Sequence, residues 1–273
     1  MKYNKSPFKW AGSKQNALDN ILPIINSFDF EVFAEPFVGA ANVSLNVEAD
    51  NYLWNDLNKD LIYSYRYMLR HPEDYIKNCQ KWFDLGFDEY YKLRDRFNSH
   101  AQDNPIRSEL FQYLNKFGFN GLCRYNGKGK FNVPVGTLTK TPKKVPVEQI
   151  RKLKERHHNK VDLFLEDYES FFIKLDIFIN KNTLVYCDSP YVPLTSEFKY
   201  TADGFNEEDH IKLKECTLHS KHTVLISNHW TEFTEQLYSD ADEIHLFDVQ
   251  RTISCKGDQR KKVKECLVIY NEK

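Results

Sequence analysis

Short apolar runs that alternate with helical patterns occupy the two ends of this 273-residue chain. A helix is predicted over 16–25, and the start of another over 40–46. Runs that end in polar residues predict strands at 31–34, 52–54, 162–165, 183–187, 223–227, 243–248 and 265–270. Because strands that alternate with helices form mostly parallel sheets covered on both faces, the pattern predicts an α/β fold.

The middle of the chain follows a different pattern. Helical periodicity predicts four helices, at 57–68, 72–83, 88–97 and 106–117, and a loop rich in Asn, Gly and Lys follows at 120–130. Pro142 and Pro146 close this block. The sequence therefore predicts a discontinuous α/β domain, residues 1–56 and 146–273, with an inserted, mainly helical domain at 57–145.

The predicted strand at 183–187 ends in chemically useful residues, Asp188, Ser189, Pro190 and Tyr191. The Asp carboxylate can accept a hydrogen bond from an amino group, the neighbouring backbone carbonyl can accept a second one, and the Tyr ring can stack on a flat ring. Such an arrangement makes an exocyclic amino nitrogen nucleophilic. Asp-x-Pro is also a common strand-ending turn, so the motif gains weight only beside a cofactor loop.

A candidate cofactor loop follows the first predicted strand. Gly39 lies at a strand–turn–helix junction, where backbone must approach a ligand closely. Asp56 follows the second strand, where folds of this kind bind ribose hydroxyls. The three spaced glycines of the dinucleotide fingerprint are missing. Each residue also has a purely structural explanation, a tight turn for Gly39 and a helix N-cap for Asp56.

Charge is distributed unevenly along the chain. The net charge is −1, but residues 107–160 contain 13 Lys or Arg against 3 Asp or Glu, a net +10 that leaves −11 elsewhere. A basic segment in an acidic chain is a candidate phosphate-binding surface. We interpret 151–156 as a solvated helix face. Residues 107–144, with Phe117, Phe119, Tyr125 and Phe131 among the charges, are interpreted as a binding surface.

The cysteine spacing and the lack of long apolar segments indicate which class of protein this is. Six cysteines are scattered without metal-type spacing, which predicts reduced thiols and no metal site. No signal region or long apolar run is present, so a soluble intracellular protein is expected.

Seven segments, in order along the chain, resemble those of the Dam-type DNA adenine-N6 methyltransferases. They are FKWAGSK (8–14), EPFVGA (35–40), NGLCRYN (120–126), FNVP (131–134), DSPY (188–191), LISNH (225–229) and RKKV (260–263). The resemblance runs nearly end to end. It implies a Rossmann-like S-adenosylmethionine-dependent methyltransferase fold in which the inserted helical domain recognises the target.

The resemblance also implies roles for individual residues. S-adenosylmethionine would be held by Trp10, Lys14, Gly39, Asp56, Glu35 near its methionine end, and an acidic contact near 166–168 that we assign to Asp167. Asp188, Ser189, Pro190 and Tyr191 would form the catalytic motif, without a metal.

Target recognition is implied in the same way, on double-stranded DNA at a GATC-type site. Base reading is assigned to Lys9, Leu122, Arg124 and Pro134, whose side-chain types suit guanine acceptors and a thymine methyl. Phe119 would stack on the partner base left behind by the flipped adenine, with Asn120 beside it. The phosphate contacts would be Arg94, Lys116, Asn126, Asn132 and Lys140. Simple core packing is the alternative for Phe119.

The chain departs from the family pattern at five positions. Ser189 replaces a proline, Ala41 and Ser13 replace glycines, Thr137 replaces a basic residue, and Phe119 replaces a tyrosine. At 189 the backbone carbonyl is kept while some rigidity is lost.

Two other functions compete with site-specific adenine methylation. An amino-methyltransferase acting on RNA or on cytosine N4 is disfavoured by the intact NGLCRYN segment, and a catalytically silent DNA-binding protein by the intact Asp188 and Tyr191. A monomer in a bacterial or phage-infected cytoplasm is expected. Whether the enzyme is solitary or belongs to a restriction-modification pair stays open.

Overall fold

A computed structural model describes residues 2–138, 143–193, 205–250 and 262–272. Its strands are β1 (Val32–Glu35), β2 (Asn51–Asn55), β3 (Val161–Phe164), β4 (Thr183–Cys187), β5 (Thr223–His229), β6 (Glu243–Gln250) and β7 (Lys262–Tyr270). Its helices are α1 (Leu18–Ile25), α2 (Lys59–Arg70), α3 (Pro72–Phe83), α4 (Tyr90–Ser99), α5 (Pro105–Phe117), α6 (Val147–His157), α7 (Tyr168–Phe178), α8 (Glu207–His219) and α9 (Glu232–Leu237).

The strands form one seven-stranded sheet in the order β3-β2-β1-β4-β5-β7-β6. Strand β1 pairs in parallel with β2 and β4, and β4 pairs in parallel with β5, whereas β7 runs antiparallel to β5 and β6. All five residues of β4 are buried, as expected for a central strand covered on both faces. The predicted α/β fold with a mostly parallel sheet is confirmed.

The chain divides into two compact units. The first comprises Met1–Ser13, Gly39–Asn46 and Asp56–Leu165, and the second comprises Lys14–Val38, Val47–Asn55 and Glu166–Lys273. The first unit contains α2 to α6, and the second contains β4 to β7 with α7 to α9. The predicted boundaries of an inserted recognition domain stay a prediction.

Helix α5 is the centre of the first unit. Ten of its thirteen residues are buried, and it packs against α2, α3 and α4. The stacked rings of Tyr113 and Phe117, with centroids 4.3 Å apart, lie in this core. The helix begins sharply because the Asn104 side chain accepts the N–H of Ile106 and Pro105 takes the first helical position.

A buried ion pair crosses this helical core. The Arg107 guanidinium binds both oxygens of Asp60, at 2.5 and 3.0 Å, and the Tyr125 hydroxyl donates to the same carboxylate at 2.6 Å. Arg107 is only 4% exposed. The interpretation of residues 107–144 as a binding surface is therefore wrong at Arg107, whose charge is neutralised inside the protein. It is wrong as well for the rings of Phe117 and Phe131, which are buried core.

Backbone conformation explains where the predicted helices were wrong. The helix predicted over 40–46 is reduced to a 3-10 turn at Ser44–Asn46, because Ala41 adopts a left-handed conformation with φ of 54°. The helix predicted over 57–68 begins later, at Lys59, since the Asn58 side chain caps it by accepting the N–H of Leu61.

Within the described ranges, no helix has the length and apolar character needed to cross a bilayer. Cys79, Cys123, Cys187, Cys216 and Cys266 are free thiols. Cys255 lies outside the described residues.

Candidate active site

In the first unit, Asp56 holds the turn that contains Gly39. Its carboxylate accepts the backbone N–H of Gly39 at 3.0 Å and that of Asn58 at 2.8 Å. Burial raises the pKa of Asp56, and these two N–H groups oppose the rise. Each oxygen thus has one protein donor and keeps a lone pair for another. The N-cap of the following helix is Asn58, so the capping explanation for Asp56 is wrong.

Gly39 is required by both its conformation and its neighbours. Its φ is 45°, and a Cβ there would lie 2.8 Å from Nε1 of Trp10. The hydroxyl of Tyr65 donates to the Gly39 carbonyl at 2.9 Å. The indole of Trp10 therefore rests directly on backbone, and the turn is pinned through its N–H and its C=O.

In the second unit, Asp188 follows the buried strand β4 and forms an ion pair with Lys14. The Nζ of Lys14 lies 2.7 Å from Oδ1 of Asp188, and the same ammonium lies 4.3 Å from the centroid of the Tyr191 ring. Burial raises the pKa of Asp188, and Lys14 opposes the rise. Within the described ranges Lys14 is the hydrogen-bond partner found for this carboxylate, and it occupies one oxygen.

Ser189, the second residue of the predicted catalytic motif, has a buried side chain. It is 2% exposed, and its Oγ has no hydrogen-bond partner among the residues that the structure describes. In particular, its hydroxyl does not bind Asp188. Pro190, the next residue, is exposed.

Tyr191 is held at its hydroxyl and along its ring. The phenol donates to Oε2 of Glu265 at 3.3 Å, and the ring meets that of His229 edge to face, with centroids 4.7 Å apart. Burial, followed by the charges of Asp188 and Glu265, raises the pKa of the phenol well above its ordinary value. Tyr191 therefore remains a neutral hydrogen-bond donor at physiological pH.

Asn55, at the end of β2, ties two loops together in the second unit. Its amide nitrogen donates to the carbonyls of Pro36 and Glu166, and its oxygen accepts the N–H of Glu166. The residues next to these contacts are the predicted cofactor ligands Glu35, which is 2% exposed, and Asp167. Asn55 thus sets the position of both loops.

Asp167 has a structural role of its own. It is the N-cap of α7, and its carboxylate accepts the N–H and the hydroxyl of Ser170, both at 2.8 Å. These bonds hold the pKa of Asp167 below its ordinary range. Its assignment as a cofactor ligand is a prediction that now competes with this capping role.

The predicted base-reading residues lie on two segments of the first unit that are joined by Asn115. Its side chain accepts the N–H of Lys9 at 2.8 Å and donates to the Lys9 carbonyl at 2.7 Å and the Gly121 carbonyl at 3.3 Å. A Cβ on Gly121 would lie 2.4 Å from that of Lys9, so the two segments touch. The Lys9 and Arg124 side chains are exposed, Leu122 is half-buried and Pro134 is exposed.

Residues 124–132 form a tight hairpin-like turn. The Nε of Arg124 donates to Oδ1 of Asn132 at 2.8 Å, and the Asn126 side chain accepts the N–H groups of Lys128 and Lys130. The two asparagines predicted to contact phosphates therefore also shape the turn. Arg94 donates to the carbonyl of Val133 at 3.3 Å.

Phe119 is 40% exposed, so its core-packing alternative is wrong. Its N–H donates to the Pro134 carbonyl, and the next residue, Asn120, adopts a left-handed conformation with φ of 53°. The turn thus presents an aromatic ring at the surface.

Three lysines surround the end of α5. Burial, together with the charges of Lys9 and Lys143, lowers the pKa of Lys116 to about 8. The pKa of Lys9 is lowered by burial and by Lys143. Mutual repulsion of this kind favours an anion close by. Lys140, the remaining predicted phosphate contact, lies outside the described residues.

Comparison with known proteins agrees with this geometry. Residues 10–253 match the family described as D12 class N6 adenine-specific DNA methyltransferase. The chain belongs to this family. It is 37% identical to a DNA adenine methylase of Escherichia coli (strain K12) over 279 residues, covering 99% of this chain and 96% of the relative. A DNA adenine methylase of Serratia marcescens is 35% identical, with 99% and 100% covered.

The adenine-specific DNA methyltransferase also uses residues that the sequence did not single out. Tyr65, Asn55 and Asn115 fix loops that carry or adjoin predicted site residues, Lys143 adds charge beside Lys116, and Glu265 binds Tyr191 of the predicted catalytic motif. Local sequence gives no signal for these contacts, because each joins residues that are distant along the chain.

Gly39→Ala is expected to lower the free energy of unfolding by more than Gly12→Ala does. Both glycines have positive φ, 45° and 77°, but a Cβ at Gly12 meets nothing within 4 Å. Gly12→Ala thus suffers backbone strain alone, about 1–2 kcal/mol, and Gly39→Ala adds the collision with Trp10. Urea unfolding measures both.

Comparing Gly39→Ala with Gly12→Ala in a Trp10→Ala background isolates the cost of the collision between the new Cβ and the Trp10 indole. With the indole removed, the two glycine substitutions should cost similar amounts. An excess cost of Gly39→Ala that survives this change would contradict the proposed contact.

Proposed function

We propose that this adenine-specific DNA methyltransferase transfers the methyl group of S-adenosylmethionine to N6 of a flipped-out adenine in double-stranded DNA, at a GATC-type sequence. The observation that carries the proposal is the group at the end of β4. There, a buried ammonium occupies one oxygen of the Asp188 carboxylate beside the face of the Tyr191 ring. A hydrogen-bond acceptor next to an aromatic face can bind the amino group of a flat base while the ring stacks on that base.

The side chains near the Gly39 turn and the Pro36 loop suit the binding of S-adenosylmethionine. When bound, this cofactor would supply an electrophilic methyl group, which is attached to its positively charged sulfur. Asp56 retains lone pairs for ribose hydroxyls, and Glu35 offers a carboxylate near the Pro36 loop. Trp10 offers an aromatic edge beside the Gly39 turn. We therefore propose Trp10, Lys14, Glu35, Gly39, Asp56 and Asp167 as cofactor-binding residues.

The residues of the catalytic motif act on the amino nitrogen N6 of adenine. Its lone pair is delocalised into the adenine ring, so hydrogen bonds must localise it. The second oxygen of Asp188 accepts one N6 hydrogen, and the Ser189 carbonyl accepts the other. The nitrogen would gain positive charge as its bond to the methyl group forms and the methyl–sulfur bond of the donor breaks, and the partly buried carboxylate would stabilise that charge. The methylated amino group would then become neutral again by releasing one N6 proton.

Lys14 has a second role in this scheme. By binding Oδ1 it fixes the rotation of the Asp188 carboxylate and directs Oδ2 at the amino group. It also opposes the burial that raises the pKa of Asp188, which favours the ionised acceptor. Tyr191 stacks on the base and places its amino group beside the acceptors.

Adenine N6 is inaccessible to this site inside a duplex, so the base must leave the stack. We propose that exposed Phe119 fills the vacated space, with Asn120 beside it. Lys9 and Arg124 are proposed to read guanines, and Leu122 and Pro134 to contact bases through apolar surface. Arg94, Lys116, Asn126, Asn132 and Lys140 are proposed phosphate contacts.

Asp188→Ala is expected to lower the single-turnover rate of methyl transfer at least roughly 100-fold, because it removes the charged acceptor of N6. Duplex affinity should change little. Tritium transfer from labelled S-adenosylmethionine to a short GATC duplex, followed by nucleoside identification, measures both the rate and the modified base. Asp162→Ala, on the exposed face of β3, is the matched control. Near-parental turnover of the Asp188 variant would show the mechanism to be wrong.

Ser189→Pro and Ser189→Ala should both transfer the methyl group within about fivefold of the parent rate. The hydroxyl has no partner in the described part of the chain, and no hydrogen bond of the Ser189 N–H is found there for proline to remove. The carbonyl, which both variants keep, accepts the N6 hydrogen. A large parallel loss in both variants would instead assign the function to the hydroxyl.

Duplex affinity is expected to fall as pH rises from 7 to 9.5, because Lys116, with a pKa of about 8, loses the charge that binds phosphate. The loss should be roughly three- to tenfold, since DNA itself favours the protonated form. Fluorescence anisotropy of a labelled duplex at constant ionic strength measures it.

Lys116→Arg is the decisive variant for this pH effect, because a guanidinium stays charged throughout the range. Its affinity should depend less on pH than the parent's. Lys128→Arg, in the exposed turn, should keep the parent's dependence. Equal pH profiles for the parent and Lys116→Arg would rule out the assignment.

A further inference from the structure

Strand β5 ends in the pair Asn228 and His229, part of the segment LISNH, and this pair holds the backbone just after the catalytic motif. Oδ1 of Asn228 accepts the N–H of Val192 at 3.0 Å. Nδ1 of His229 lies 2.7 Å from the carbonyl of Val192 and donates to it. Two consecutive side chains thus fix both backbone groups of the residue that follows Tyr191.

Strand β7 completes the arrangement with Glu265. This residue lies opposite His229 in the antiparallel register of β5 and β7. The rings of His229 and Tyr191 meet nearly at right angles, and Glu265 accepts the phenol hydrogen at 3.3 Å. The tyrosine is therefore held by the backbone of the residue that follows it, by the ring of His229 and by its own hydroxyl.

Glu265 is an unusual residue for this position. It is 7% exposed and lies in a strand whose neighbours at 266–270 are buried and mostly apolar. Burying a carboxylate costs free energy that an apolar residue would not incur. Its hydrogen bond to the phenol is charge-assisted and hence stronger and more directional than a neutral one.

The orientation of the ring matters for the reaction. The face of Tyr191 already binds a cation, with the Lys14 ammonium 4.3 Å from its centroid. The same ring is adjacent to the acceptor at Asp188, which Lys14 also binds. A small rotation of the ring would move a stacked base relative to that acceptor.

We propose that Glu265 is a positioning residue for methyl transfer, which fixes the plane of the Tyr191 ring through the phenol and thereby aligns the amino group of the stacked adenine with Asp188. This inference rests on the proposed stacking role of Tyr191. Glu265 itself touches neither the base nor the reacting atoms.

A double-mutant cycle on the full-length protein tests the proposal. Single-turnover transfer to a GATC duplex is measured for Glu265→Leu, Tyr191→Phe and the double variant, alongside duplex affinity and urea unfolding. Each single variant is expected to lose roughly tenfold in rate with little change in affinity. The double variant should lose no more than either, because both substitutions break the same hydrogen bond.

Two further variants keep the test decisive. Glu265→Gln retains an acceptor of the same size, so it should recover most of the rate even if Glu265→Leu folds poorly. Glu243→Leu removes a carboxylate from an exposed position on β6 and should leave the rate unchanged.

The outcomes separate the inference from the function on which it rests. A parental rate in Glu265→Leu, or losses that multiply in the double variant, would overturn the positioning role. If Tyr191→Ala also collapses the rate, the stacking role survives that result. If Tyr191→Ala keeps the parent rate, the stacking role fails and the positioning role fails with it.

Discussion

The candidate site depends on one ion pair, in which an ammonium compensates the negative charge of a carboxylate at the end of a buried strand. All of β4 is buried, so Asp188 leaves the sheet into surroundings that raise its pKa. Lys14, itself almost entirely buried, opposes that rise through an ion pair at 2.7 Å. Without that ammonium, burial would favour a neutral acid, which would be a poor acceptor for an amino group. The charge state of Asp188 is thus coupled to Lys14.

The sequence predicted the parts of the fold that depend on local pattern. The apolar run of β4, the polar residue that ends it and the alternation of helices and strands follow from periodicity alone. It did not predict Ala41, which is left-handed although its side chain disfavours that conformation, and which stops the helix expected at 40–46. Charge was equally misleading at Arg107, because a buried partner 47 residues away cannot be seen in composition.

The buried ion pair of Asp60 and Arg107 anchors the segment that we propose recognises the target. Tyr125 donates to the same carboxylate, so the turn that carries Arg124 is attached to the helical core by a hydrogen bond of 2.6 Å. Such a network specifies one arrangement, since breaking it would leave a charge buried without its partner. The exposed side chain of Arg124, which we propose reads a guanine, is thereby attached to a buried network, and this attachment favours discrimination between bases.

Asparagine performs the same task in three separate places. Asn55, Asn115 and Asn228 each join loop backbone to an element of the core. The amide suits this role because it carries a donor and an acceptor without charge. Asn55 and Asn115 each bind both an N–H and a C=O of a loop without the cost of burying an ion. Asn228 accepts the N–H of Val192, and His229 binds the carbonyl of that residue. A carboxylate could accept but not donate, and an ammonium could donate but not accept. The loops beside the predicted cofactor and recognition residues are consequently held by an uncharged group that binds both sides of a peptide, and the loop beside the predicted catalytic residues divides that task between Asn228 and His229.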